Sequence, residues 1–396
     1  MLSVAEAART VIERVPRVAA EPVALASALG RVLATTIVAE RALPGFDNSA
    51  MDGYAVRAAD VPGALPVSTT VVAGGDIPAT VPAMTCVRIF TGAPLPPGVD
   101  TVIIQEDVTI GEDGSVTFPA APLGDNVRRA GEDIAIGDIV LVAGTRLVPW
   151  HLGVLAALGV ATVSVARAPR VALIATGDEL VEIDTLPGPG QLVDSSAHAL
   201  VALVAEAGGH ADRIGIARDD LEVLSRMIAT ALDYDIVITT GGVSVGDRDY
   251  VREALATAGI ELELYKVAMK PGKPFSFGMR GITPVFGLPG NPISTLVAFE
   301  LFVRPALLAM QGAAVIERPR VPVQLARATR KQAGRAHYLR ANVVREGERL
   351  IAHAHAKQGS AMLSSLVGCN ALVELPAEAT DVTVGSLATA ILLEAV

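Results

Sequence analysis

Lysine is scarce in this chain, and its placement is the first chemical clue. Only five of the 32 basic residues are lysine, none precedes Lys266, and two stand three apart in Lys270-Pro271-Gly272-Lys273-Pro274. A residue before proline is pushed out of helical geometry into extended backbone. At about three residues per polyproline turn, positions 270 and 273 would project from the same side of the chain. Two ammonium groups on a short, stiff loop make a clamp for a dianion. Three other segments place glycine after apolar, strand-like runs: Thr176-Gly177-Asp178-Glu179-Leu180, the stretch 240–247 that contains Gly241, Gly242 and Ser244, and Gly287-Leu288-Pro289-Gly290-Asn291-Pro292. Glycine lets backbone N–H groups approach an anion, and a following helix adds a favourable dipole. One such turn says little, since tight turns need glycine anyway. Three at one sheet edge point to a phosphate or oxyanion pocket.

Carboxylates crowd the same turns: Asp178 and Glu179, Asp219 and Asp220, Asp247 and Asp249. Asp219 and Asp249 fall where helix N-caps are expected, which alone would account for them. Their other use is to hold Mg²⁺, a hard cation that takes carboxylate, water and phosphate oxygens. A fourth cluster, Phe46-Asp47-Asn48-Ser49-Ala50-Met51-Asp52-Gly53-Tyr54-Ala55, reads in isolation as a loop satisfied by its own side chains. Several chemistries are absent. The six histidines have no zinc spacing, there is no nucleophile elbow or Walker sequence, and Gly241 to Gly246 has the wrong glycine register for a dinucleotide fingerprint. A net charge of −10 argues against non-specific binding to nucleic acid or anionic membrane. Two cysteines are no disulfide framework and suit a reducing cytosol.

In an open α/β sheet, ligands sit at the carboxyl ends of the strands, so strand–helix alternation must bring these turns together. It begins near residue 168. The continuous apolar run 171–175 suits a parallel strand buried on both faces. Helices are predicted over 197–206, 220–232, 250–258 and 292–310, with strands over 213–217, 235–239 and 283–286. The fold class is therefore multidomain α/β plus β, with a doubly wound α/β domain over 169–313. Short alternating segments beyond Arg318-Pro319-Arg320 predict a small β barrel or sandwich over 318–396. Residues 43–145 are β-rich, with a hairpin tip at Asp113-Gly114. They interrupt two helical segments, 1–42 and 146–168, which are expected to pack together. The first opens on a capping box, Ser3 with Glu6, and does not read as a signal peptide. Residues 147–166 carry no Asp, Glu, Lys or Arg, and at about 20 residues could span a bilayer. Pro149 and Gly159 instead predict a short helix followed by a strand.

Together these motifs, with Thr91-Gly92-Ala93-Pro94 and residues 129–133, resemble the molybdopterin molybdenumtransferase family, which includes bacterial MoeA and the gephyrin E domain. The likeness runs in the family's order over essentially the whole chain. It implies an L-shaped, four-part protomer in a cytoplasmic homodimer. It also implies insertion of molybdate into adenylylated molybdopterin with release of AMP, dependent on a divalent cation such as Mg²⁺. In that family the pocket of the α/β domain faces the β module of the other protomer. Carried over, Asp52, Glu179 and Asp249 are catalytic, and Asp219 with Asp249 are metal ligands. Thr91, Asp194, Ser195, Gly241, Gly242 and Ser244 match substrate-binding positions. Lys270, Lys273 and Ser294 match residues near the metal oxyanion, joined by Arg340 and Ser360 from the carboxy-terminal part. Ser196 departs from the family's frequent Asn, and a hydroxyl cannot make both hydrogen bonds of an amide. Molybdopterin adenylyltransferase and molybdoenzymes are the implied protein partners. Rival readings are an adenylyltransferase-like enzyme, which would not need the additional modules, and a non-catalytic dimeric scaffold or paralogue.

Overall fold

A computed structural model describes residues 1–218, 220–242, 250–394 and 396. Its α/β part is built on a six-stranded sheet in the order His210–Ala217, Arg170–Thr176, Ile236–Thr240, Thr283–Leu288, Ser276–Arg280, Glu261–Tyr265. The first four are parallel. The last two were not foreseen, and Ser276–Arg280 runs antiparallel to both of its neighbours, so the sheet is mixed. Alternate residues of each strand face opposite helical layers. Val171, Leu173, Ile236 and Ile238 join a core with Leu200, Val204 and Phe302. Ala172, Ile174 and Val237 join another with Leu224, Ile228 and Leu255. Burial on both faces is why these strands read as unbroken apolar runs.

The helix expected over 292–310 is one rod with a π turn at its centre: Pro292–Ala298, Phe299–Val303, Arg304–Gln311. Pro305 has no N–H for an i→i−4 bond, which favours the wider turn. The rod is long and apolar enough to cross a membrane, yet 94% of that window is buried inside the protein. Residues 147–166 are a helix, Pro149–Ala157, and a strand, Thr162–Ala166, as their punctuation indicated.

That strand pairs with Ala20–Ala24, and Leu147, Leu155, Val163 and Val165 share a core with Ala28 and Leu33. The opening helix Val4–Arg14 was expected to join them and does not. Its stripe of Ala7 and Val11 is buried in the α/β core, and Arg14 pairs with Glu263 at 2.6 Å. The β module forms its own sheet, with Thr109–Ile110 antiparallel to Ser115–Phe118 around the expected hairpin tip. The carboxy-terminal part is a closed barrel, not a sandwich. Ala336–Glu346, Arg349–Ala354, Arg320–Leu325, Leu387–Leu392 and Ala371–Leu375 pair in sequence, and the last returns to the first.

Candidate active site at the strand ends

The three glycine turns meet. A cavity of about 820 Å³ at the carboxyl ends of the parallel strands is walled by Gly177, Gly241, Gly242 and Gly290, and also by Thr176 and Thr240. The turns are laced to one another. Thr176 Oγ1 donates to the Thr240 carbonyl at 3.0 Å, and Gly241 N–H donates to the Leu288 carbonyl at 3.1 Å. Glycine is required here for two reasons. Gly241 and Gly242 have φ of +86° and +63°, and a Cβ on them would lie 2.5 Å from the Thr176 carbonyl oxygen and 2.0 Å from Val251 Cγ2.

Asp194 and Ser195 are in the same wall. Asp194 is 3% exposed and caps helix Ser195–Glu206 by accepting from Ala197 N–H at 3.1 Å. Its other oxygen has no hydrogen-bond partner, with the Arg213 guanidinium 3.8 Å away. Ser196, where the family often has Asn, also lines the cavity. Opposite, Asn291 precedes the helix that starts at Pro292. Ile293 N–H in its first turn donates to the Ser360 carbonyl at 3.2 Å. This contact brings a loop next to the barrel over the cavity, where Ala361 and Leu363 complete the lining. Nothing in the sequence singled out those two residues.

The other expected residues are distributed as follows. Glu179 is exposed and in the cavity wall, its carboxylate folded over Gly177. The lysine loop is not a polyproline segment. Met269–Lys270 is a short strand paired with Ala336–His337, and Gly272 then turns the chain with φ of +102°. Of that loop only Pro274 lines the glycine cavity, whereas Lys270 lines a second one with Arg335 and His337, and Lys273 is exposed. Ser294 is buried beneath the loop, its carbonyl oxygen 3.5 Å from where a Gly272 Cβ would stand. Arg340 is fully buried, and its Nη1 has no hydrogen-bond partner. It donates to Ser365 Oγ at 3.0 Å and to the Gly359 and Lys357 carbonyls at 3.0 and 3.2 Å, so it holds the loop carrying Ser360.

Asp52 and Thr91 meet each other on the β module, away from the residues that wall the cavity. The Asp52 carboxylate accepts from Thr91 N–H at 2.8 Å and from its hydroxyl at 2.7 Å. These two bonds, aided by the nearby Arg88 charge, hold its pKa below the usual carboxylate range. Arg88, which the sequence did not flag, lies over the rings of Tyr54 and Phe90 at 4.9 and 4.8 Å and donates to the Gly53 carbonyl. Ser244, Asp219 and Asp249 lie outside the described residues. The N-cap of helix Leu221–Ala231 is Asp220, not Asp219. Among the described residues no three His, Cys, Asp or Glu side chains are grouped to hold a metal.

An α/β sheet that gathers glycine turns and a helix N-terminus around one large cavity has the architecture of anion-binding proteins. Three regions match described families: residues 2–159 the MoeA N-terminal region (domain I and II), 172–309 a probable molybdopterin binding domain, and 322–393 the MoeA C-terminal region (domain IV). A molybdopterin molybdenumtransferase of Haemophilus influenzae is 37% identical over 398 residues, covering 98% of each chain. One from a Nostoc species is 41% identical over 332 residues, covering 79% of this chain and 76% of the relative. A crystal structure of a molybdopterin biosynthesis MoeA protein from Pyrococcus horikoshii superposes with TM-score 0.87 at 31% identity, covering 99% of this chain and 100% of that one. The chain belongs to the molybdopterin molybdenumtransferase family.

Proposed function

We propose that this chain is a soluble, cytoplasmic molybdopterin molybdenumtransferase that inserts molybdate into adenylylated molybdopterin and releases AMP. The observation that carries this reading is the lacing of three glycine turns around one cavity of about 820 Å³, in a chain that aligns end to end with relatives of that name. In this reading the backbone N–H groups near Gly241 and Gly242 and the helix at Pro292 hold the phosphates, while Asp194 and Ser195 hold the pterin side. Lys270, Lys273, Ser294 and Ser360 form the molybdate side with Arg340, which also holds the Ser360 loop. Water attacks the phosphoanhydride joining the pterin phosphate to AMP, which leaves AMP and the free pterin phosphate. Molybdate exchanges one oxygen, lost as water with the two dithiol protons, for the two pterin sulfurs. Catalysis rests on positioning and charge stabilisation, as in phosphoryl transfer generally, and needs no covalent nucleophile. Glu179 orients the attack, together with Asp249 and with Asp52 from the second protomer of a homodimer.

Mg²⁺ belongs to this proposal through Asp219 and Asp249, and when bound it would neutralise phosphate charge. The proposed division is 1–42 with 146–168, 43–145, 169–313 and 318–396, the opening helix lying on the third part. Molybdopterin adenylyltransferase as donor and molybdoenzymes as acceptors follow from the same reading. The test mixes purified protein with adenylylated molybdopterin, molybdate and Mg²⁺. AMP release with pterin-bound molybdenum is expected. AMP no greater than in a protein-free control would overturn the reading in favour of a scaffold or an inactive paralogue.

A further inference from the structure

The edge strand of the α/β sheet carries a charge that this reading does not use. Strand His210–Ala217 stays in register with Arg170–Thr176 as far as Arg213 opposite Leu173, then resumes with Gly215 opposite Ile174, so Ile214 is an extra residue. An insertion of this kind bends a strand and re-aims the side chains beside it. Gly215, with φ of +136°, takes the bend without the strain that a side chain would bring. Just before it, Arg213 reaches toward both Glu182 and Asp194. Its Nη2 donates to Glu182 Oε2 at 2.7 Å and stops 3.8 Å from Asp194 Oδ2.

Asp194 is held firmly, yet one of its oxygens is left over. Its N–H donates to the Val181 carbonyl at 3.0 Å, and its Oδ1 accepts from Ala197 N–H at 3.1 Å. Oδ2 is buried without a hydrogen-bond partner, and so is Arg213 Nε. An acceptor and a donor both left open in one cluster are uncommon, since buried polar atoms are paired as a rule. Burying a carboxylate in a cavity wall is costly unless a nearby charge compensates it, and the Arg213 guanidinium is such a charge. Glu182 holds that guanidinium at its own carboxylate, so Oδ2 stays open. A ligand group that pairs with Oδ2 must donate a hydrogen, and the guanidinium 3.8 Å away disfavours a cation there. A neutral N–H meets both conditions.

We propose that Arg213 is a positioning residue for the pterin. It compensates Asp194 without capping Oδ2, which is left to accept from a neutral N–H such as those on the amino-amide edge of a pterin ring. Glu182 keeps the guanidinium back. This inference rests on the reading that Asp194 lies at the pterin side of the cavity. Without Arg213 nothing compensates the buried carboxylate and its orientation is lost, so the pterin end loses affinity while the phosphate-holding glycine turns do not. Without Glu182 the guanidinium closes on Oδ2 and occupies the acceptor, which weakens the pterin end as well. Once Arg213 is gone, Glu182 has nothing to restrain, and its removal adds no further loss.

The test is isothermal titration calorimetry of the full chain with adenylylated molybdopterin and, separately, with AMP. Molybdate and Mg²⁺ are omitted, and circular dichroism checks that every variant is folded. The parent is expected to bind both. Arg213→Ala should weaken the pterin nucleotide about tenfold or more and leave AMP within about twofold. Arg213→Lys, which keeps the charge, should recover part of the loss. In turnover the loss should appear in KM and not in kcat. Glu182→Ala should also weaken the pterin nucleotide, and the double variant should bind it no worse than Arg213→Ala. Pterin-nucleotide affinity within about twofold of the parent in Arg213→Ala would overturn the proposal. So would a parent that binds no pterin nucleotide, an equal loss of AMP, or additive losses in the double variant. If Arg213→Ala does not fold, Arg213→Gln against Arg213→Lys decides, and equal affinities would overturn it. The titrations need no turnover, so failure here leaves the AMP-release test standing.

Discussion

Asp52 shows how much a single residue's setting matters. Its carboxylate is solvent-exposed, yet two donors from one residue, the Thr91 backbone and hydroxyl, keep it ionised below the usual range. The sign of the linkage follows. A carboxyl whose folded pKa is depressed adds stability above its unfolded pKa, and loses it as pH falls through the folded value. Thr91→Val removes the hydroxyl and spares the N–H, so the Asp52 pKa should rise only part of the way to the ordinary carboxylate value. Carbon-detected NMR titration of the side-chain carboxyl reads this directly, and an unmoved titration would mean that the hydroxyl contributes nothing. Of the residues singled out beforehand, Glu179, Asp194, Ser195, Gly241 and Gly242 meet in one wall. What residue type could not convey was burial. Arg340 stands in a recognisable motif, but the number of carbonyls near its guanidinium is set by a loop returning from beyond residue 356.

Elements were legible where local pattern and tertiary role agree. The three inner parallel strands are continuous apolar runs because both faces are covered, and each leads into a glycine turn, whereas the edge strand His210–Ala217 has neither feature. Strands Glu261–Tyr265 and Ser276–Arg280 escaped because their pairing partners, not their own periodicity, make them strands. The lysine loop failed for the same reason. Proline spacing argued for polyproline, but parallel pairing with residues 336–337 and the left-handed turn at Gly272 decided its path. The turns yield a paired prediction. At Gly241 a side chain meets the Thr176 backbone oxygen at 2.5 Å with φ of +86°, and backbone cannot yield cheaply. At Gly290 it would make only an ordinary contact, 3.4 Å from the Gly241 Cα. Gly241→Ala should therefore cost on the order of 2 kcal/mol or more in urea unfolding, whereas Gly290→Ala should stay within about 1 kcal/mol. Equal effects would mean that the lacing of the turns is not what fixes their shape.

At the scale of the molecule, the parts are locked where the sequence showed only punctuation. Arg318, in the connection to the barrel, forks onto buried Glu300 of the π turn at 3.0 and 3.1 Å, pairs with Glu206 at 2.9 Å and donates to the Leu393 carbonyl at 2.9 Å. One guanidinium thus ties two helices of the α/β part to the last segment of the chain. No comparable tie among the described residues brings Asp52 to the glycine cavity of its own protomer, and the proposed function places it in the cavity of a second copy. That arrangement makes a prediction that two inactive proteins can test. Asp52→Asn keeps a sound Glu179, and Glu179→Gln keeps a sound Asp52. In a mixed dimer, a cavity shared across protomers combines the two sound residues at one of its two sites and the two defects at the other. Equal mixing with free exchange makes half of the dimers mixed, so AMP release should recover to about a quarter of the parent rate. If each protomer instead completes its own cavity, every site in the mixture keeps one defect and no recovery occurs. Size-exclusion chromatography with tagged and untagged variants must show that subunits exchange, so that a silent mixture counts against the shared cavity.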